Sequence, residues 1–408
     1  MAGTIVLLEA LTFGLGRLAE AATRHHTKLC LLTRNKEFYR FELNSTAADG
    51  VDICEVDTFK PELVKRAIQR IGDVKGLISA TDTWSLVGLD VASQLNFPRP
   101  DPQAVRIARD KAELRKVLHS AGLSTCKSVI IQSWSQEELD MIAEMTPPVI
   151  IKDRSGTGSQ HVWILNEFSE LELLRRQIST STLSGNLLVE PYFNGTLYSA
   201  ETLTWDRITR VIAFTSRVMS PEPWFREEAA AMPIIFPQNI YRVIEDWIGE
   251  VLACIQYDRN FAHCEFILTS TGPELVEINP RLGGGLIGES LCRVYDTNIY
   301  DAFIQMALGE RPVLIGEDLT PQRGIGQRLM YPTAPCIFER MTGVERLQNH
   351  IGSPELFLTV GCERKIEHVG DQRGCVAILL GDGETSEFAM LNTLSAASKL
   401  GIASRPAH

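Results

Sequence analysis

No apolar run in this sequence approaches the roughly 18 residues that a membrane-spanning helix requires. No C-x-x-C pair occurs either. The nine cysteines stand singly between Cys30 and Cys375 and their number is odd, which argues against a disulfide framework and fits reduced, cytoplasmic usage. The apolar opening from Thr4 to Leu8 lacks a basic leader and is broken by Glu9, so it reads as a first strand rather than a signal peptide. A Walker loop, internal repeats, low-complexity tracts and a heptad seam are all missing. There is no basic stripe, and the net charge of -11 repels polyanions, which excludes general binding to nucleic acid or to an anionic membrane. Small anions remain within reach of a few placed Arg, Lys and metal ions.

What is present is the balance of a globular chain, with 44% hydrophobic and 22% charged residues. Its 408 residues exceed one ordinary core, so roughly two to four packed units are expected. Strand-like runs at Ile5 to Leu8, Leu29 to Leu32, Val51 to Val56 and from Gly76 alternate with helical patterns, the rhythm of a parallel α/β sheet. Three prolines within Pro98 to Pro102 predict a boundary without regular structure. A helical pattern then runs from Val105 to Gly122. Strands from Ser128 and Pro148, with a helix from about Ser135 between them, give an α+β region. The expected division is 1–104, an α/β domain; 105–185, a small lid-like subdomain; and 186–408, a large subdomain with a C-terminal lobe that ends in a helix.

Chemistry gathers at His263-Cys-Glu-Phe-Ile-Leu, which is followed around Gly272-Pro273 by Glu277-Ile-Asn-Pro-Arg-Leu-Gly283. Side chains two apart on a strand share a face. Glu277, Asn279 and Arg281 therefore point one way, and His263 and Glu265 share a face of the partner strand. If those faces coincide, two carboxylates and an amide oxygen form a magnesium site of hard ligands, with room for a nucleotide. An arginine beside them can offset the repulsion when a phosphoryl group meets a carboxylate. Gly283 and Gly284 let backbone N–H groups approach a phosphate or oxyanion. The same residues would also suit an ion-paired hairpin. Upstream, Lys152 leaves a strand into Ser155, Gly156, Gly158 and Ser159, which can fold over phosphate. Lys111 alone reads as an ordinary solvated lysine. Glu190, in a strand leading to Phe193 and Gly195, fits an adenine edge and a plain turn equally well.

In that order these motifs resemble the ATP-grasp superfamily, and within it the L-amino-acid ligase branch that forms dipeptides, over nearly the whole chain. The resemblance implies an ATP-grasp fold, α/β and α+β, behind a Rossmann-like pre-ATP-grasp domain. By this likeness Lys111, Lys152, Ser155, Gly156, Gly158 and Ser159 would hold ATP phosphates, and Glu190 with Phe193 the adenine. Glu265, Glu277 and Asn279 would bind two Mg2+ ions, for which Mn2+ could substitute, and Arg281 would contact transferred phosphate and substrate carboxylate. The segment Pro223 to Pro233 lies where these ligases carry a substrate loop, F-x-E-x-G-H-x-x-P. Glu227 matches its acid and would pair with a substrate ammonium, whereas Ala229 and Ala230 replace its glycine and histidine. Asp153 stands where proline is usual and Leu197 where a ribose-binding Glu is common.

The activity so implied is ATP-dependent joining of a small carboxylate to an amine, through an acyl phosphate, by a cytoplasmic homodimer. A bicarbonate- or formate-using relative and a non-catalytic ATP sensor are the alternatives. Gly14-Leu-Gly16 after the first strand hints at a dinucleotide fold, but a third glycine is absent and the second strand runs into Thr33-Arg34 without an acid.

Overall fold

The computed structural model describes residues 3–43, 50–156, 158, 160–179, 183, 185–222 and 224–407. The alternation of strands and helices builds a parallel sheet from β1 (Thr4–Leu8), β2 (Lys28–Thr33), β3 (Val51–Glu55) and β4 (Val74–Ile78), in the order β3-β2-β1-β4. All five residues of β1 are buried, as helices on both faces of a parallel sheet require. Glu9, which follows β1, is buried as well. Its carboxylate accepts from the hydroxyls of Thr33, Tyr39 and Thr58 and from the Arg34 N–H. The N–H groups of Gly14 and Gly16, at the start of the helix Leu15–Arg24, donate to Glu42 at 3.1 and 3.0 Å. An acid of the chain itself thus sits where a dinucleotide phosphate would be held, which removes that reading.

The proline-rich boundary is shorter than expected. Pro102 begins the helix Pro102–Arg109, capped by the Asp101 side chain, because proline at the first helical position sacrifices no hydrogen bond. The helical pattern expected to run on to Gly122 breaks at Asp110, whose extended backbone and side chain cap a second helix, Lys111–Ser120. Lys111 is therefore fixed at a helix start. Arg154 forks onto the Asp110 carboxylate and ties this junction to the small sheet, β5 (Val129–Ile131), β6 (Val149–Asp153), β7 (Val162–Leu165) and β8 (Leu187–Pro191), ordered β5-β8-β6-β7. The division expected after 185 falls in front of β8, a strand that pairs within this small sheet.

An eight-stranded antiparallel sheet follows: β9 (Gly195–Trp205), β10 (Ile208–Met219), β11 (Glu227–Met232), β12 (Arg259–Thr269), β13 (Gly272–Asn279), β14 (Gly324–Met330), β16 (Glu355–Leu358) and β18 (Ala377–Gly383), in the order β13-β12-β9-β10-β11-β14-β18-β16. The expected substrate loop is mostly β11, an interior strand paired on both edges; Pro223 lies outside the described residues. Cys264 and Phe266 point to one face, where Ile244, Ile248, Val251 and Leu252 of the helix Gln238–Cys254 cover them. Their neighbours His263 and Glu265 must then face the other way. A fourth sheet, β15 (Cys336–Thr342), β17 (Arg364–Ile366) and β19 (Gly401–Pro406), completes the C-terminal lobe, and β19 follows the helix Ser386–Ala397 that was expected to end the chain. No helix among the described residues is long and apolar enough to cross a membrane.

Phe266 is fully buried among Tyr198, Phe214 and Trp247. Phe266→Ala should cost about 3–5 kcal/mol by leaving a cavity behind the central sheet. Urea unfolding of the two proteins reads this directly, and a midpoint shift of under about 1 kcal/mol equivalent would deny this packing its role.

Candidate active site

The uncovered face of the central sheet, the small sheet and the C-terminal lobe enclose a cavity of about 890 Å³. That is ample for a nucleotide and a small second molecule. At its centre the β12–β13 register pairs Glu265 with Glu277 and His263 with Asn279, so the coincidence of faces that the sequence left conditional is realised. Asn279 donates its amide N–H to Glu277 at 2.8 Å, which turns its oxygen outward. Lys111 lies 3.2 Å from Glu277, and Arg217 lies 3.5 Å from Glu265. Burial works against ionising Glu277, yet Lys111, the Asn279 amide and Lys152 outweigh it and hold its carboxyl well below the usual range. Glu265 is also lowered, burial being overcome by Arg217 and His263.

Two ionised carboxylates and an outward amide oxygen fit Mg2+, which takes few protein ligands and completes its shell from water and phosphate. Among the described residues no group of three or more His, Cys, Asp or Glu side chains is arranged to hold a metal by itself.

Lys152 is buried with its Nζ 2.5 Å from Glu190, and Arg115 donates to the other oxygen of the same carboxylate at 2.7 Å and to the Val276 carbonyl at 2.7 Å. Burial opposes the charge on Glu190, but Arg115 and Lys152 bring its pKa down to about 2. Two cations around one anion leave a net positive charge at the cavity wall, suited to phosphate. Glu190 lines the cavity as expected, yet its oxygens accept from these cations instead of standing free for an adenine. Lys111 also donates to the Gly156 carbonyl at 2.6 Å. Gly156, Gly158 and Phe193 line the cavity, as do Asp153 and Leu197; Ser155 does not, its N–H being bound to Asp153. Ser159 lies outside the described residues.

Arg281 reaches the cavity, but its guanidinium is held by Asp82 of the N-terminal unit, with Nε at 2.7 Å, and by the Leu282 carbonyl. Gly283 departs from expectation. Its N–H donates to the buried Glu201 at 3.2 Å and is not free for an oxyanion, while a Cβ at Gly283 would come within 2.9 Å of the His263 ring. Gly284 does line the cavity. Glu201 accepts from His263 Nδ1 at 2.6 Å, and His263 Nε2 lies 3.1 Å from Glu265. Burial disfavours the imidazolium, but Glu201 and Glu265 raise its pKa to about 9. Glu227, expected to face a substrate ammonium, accepts from Arg217 at 2.8 Å, and burial outweighs this contact and raises its pKa.

Sequence reasoning missed Arg115, Arg217, Glu201 and Asp82. Arg115 could have been found, four residues after Lys111 and hence on the same helix face. The other three are brought in by strand pairing or by another unit, which no local pattern reports.

Residues 108–285 match the ATP-grasp domain family. An uncharacterized protein, y4rH, of Sinorhizobium fredii (strain NBRC 101917 / NGR234) is 24% identical over 318 residues, 76% of this chain and 65% of that protein. Carnosine synthase 1 of Homo sapiens is 23% identical over 262 residues, 59% of this chain and 31% of its own length. The chain thus spans less than two thirds of either relative. The crystal structure of an L-amino acid ligase from Bacillus licheniformis superposes with a TM-score of 0.82 at 18% identity, covering 99% of this chain and 98% of that one. Residues 108–285 are thus an ATP-grasp domain, and the chain as a whole shares its fold with that L-amino acid ligase structure.

Proposed function

We propose that this chain is an ATP-dependent carboxylate-amine ligase that joins an amino acid to a small carboxylic acid, with release of ADP and phosphate. The observation that carries this reading is the pairing of Glu265 with Glu277 across β12 and β13, with Lys111, Lys152 and Arg281 around the same cavity. The likeness to an L-amino acid ligase and a carnosine synthase supports it.

In this reading Lys111, Lys152 and the loop through Gly156 and Gly158 carry the ATP phosphates. Glu265, Glu277 and Asn279 would hold Mg2+, which when bound supplies positive charge to the phosphate oxygens. Arg281, aimed by Asp82, brings the acid's carboxylate to the γ-phosphate and offsets their repulsion. A carboxylate oxygen attacks the γ-phosphorus and the bond to ADP breaks. The amine nitrogen then attacks the acyl carbon of the acyl phosphate, loses its proton, and phosphate departs. The acyl phosphate must be kept from water, and the segments around Gly156 and Pro221, both lining the cavity, are positioned for that.

With ATP and magnesium, phosphate release should require both an acid and an amine, and mass spectrometry should find the amide. Release that needs only bicarbonate would instead indicate a carboxylase. Glu277→Gln removes one candidate metal carboxylate and the partner of the buried Lys111, and should lower kcat by about a hundredfold or more in protein that circular dichroism shows to be folded, with some loss in the thermal midpoint. Full turnover in that variant would sink the metal assignment. Glu190→Ala strands two buried cations and should destabilise the chain by about 3–5 kcal/mol in urea; an unchanged midpoint would mean the triad is not formed in solution.

A further inference from the structure

An acid in the position of Glu227 invites an ammonium partner, but the chain supplies that partner itself. Arg217, on β10 and with its side chain only 8% exposed, puts Nη2 2.8 Å from Glu227, whose own side chain is 11% exposed. Both line the cavity. The strand register explains how Arg217 gains the space. Arg217 pairs with Ala230 on β11, and Ala230 pairs with Gln327 on β14, so the three share the cavity face and the middle one contributes a single methyl group. A larger side chain at 230 would compete for the room that the guanidinium occupies.

The other acids at this end are also engaged. Glu265 and Glu277 form the candidate metal pair, and Glu201 is enclosed by His263, Ser199 and the Gly283 N–H. A substrate ammonium entering beside Glu227 would find that acid already paired and would face Arg217, a buried like charge, so its desolvation there would go uncompensated, while Glu222, which also lines the cavity, is exposed to water and offers only a screened charge. Beyond Gln327 the wall turns apolar: Leu329 and Ile378 are cross-strand partners that line the cavity together with Met219 and Ile287. That surface fits a hydrocarbon chain.

We infer that the carboxylic acid activated at this site carries no α-ammonium group but an apolar chain, and that Arg217 sets this preference by holding Glu227. This rests on the ligase reading of the same cavity. The amino acid then serves only as the amine.

The test compares hexanoate with 2-aminohexanoate, two acids that differ only in the α-amino group, by calorimetric titration into the full chain with ADP and magnesium. Hexanoate should bind at least tenfold more tightly, and Arg217→Met, which releases Glu227, should shift the ratio toward the amino acid by tenfold or more. Glu227→Gln keeps the local shape and should change the two affinities by the same factor. Equal or absent binding of the two acids to the unaltered chain, or a selective loss of 2-aminohexanoate binding in Glu227→Gln, overturns the inference. Phosphate release measured with the same acids and an amine separates the two layers. If no acid is turned over, the ligase reading fails, while the binding ratio still reports on Arg217.

Discussion

A β-strand can offer a side chain to only one of its two faces, and β12 uses this to separate a core from a site. Cys264 and Phe266 pack on the helix Gln238–Cys254, while His263 and Glu265, one residue out of phase, open on the cavity. Because β12 is hydrogen-bonded to β13 on one side and β9 on the other, the same register sets Glu277 and Asn279 beside Glu265 and His263 and brings Glu201 across from His263. A slip of one residue would turn every one of these groups into the aromatic core. The packing of Phe266 is thus what fixes the direction of two carboxylates.

Charge is the second organising quantity. The cavity wall carries Lys111, Arg115, Lys152, Arg217 and Arg281, and each is drawn to an acid nearby. Buried ions of this kind are tolerable only in pairs or networks. Glu277 and Glu190 are accordingly matched by bases that keep them ionised. Lys111 does so for Glu277, and Arg115 with Lys152 for Glu190. A ligand entering such a network exchanges partners with it instead of creating charge in a dry space, which keeps reorganisation small.

Much of this was legible beforehand because it is local. The parallel rhythm of the first sheet, the hairpin, and the alternation that puts Glu265 and Glu277 on one face are all statements about residues close in sequence. What escaped was either conditional on packing or delivered from afar. The break at Asp110 looked like continuous helix because Ile107, Leu114 and Leu118 keep the apolar period across it. The strand β11 looked like a loop because alanines signal no strand preference, and its two neighbours decide it. Gly283 was assigned to an oxyanion when its N–H serves Glu201, an acid 82 positions earlier. The partners of Glu190 and Glu227 were likewise invisible, since an acid read from sequence gives no sign of whether its charge is already answered.

The contact between Asp82 and Arg281 bears on how the chain can be divided. The stretch recognised as the family's domain runs from 108 to 285 and includes Arg281, but the carboxylate that aims this arginine lies before it, on the segment that follows β4 of the parallel sheet. Ile378 and Leu329, which close the apolar side, lie after it. The stretch that matches the family's domain is therefore smaller than the set of residues that encloses the cavity. A transplant cut at the module's borders would carry the β12–β13 hairpin away from the carboxylate that holds Arg281 and from the residues that close the apolar side of the cavity.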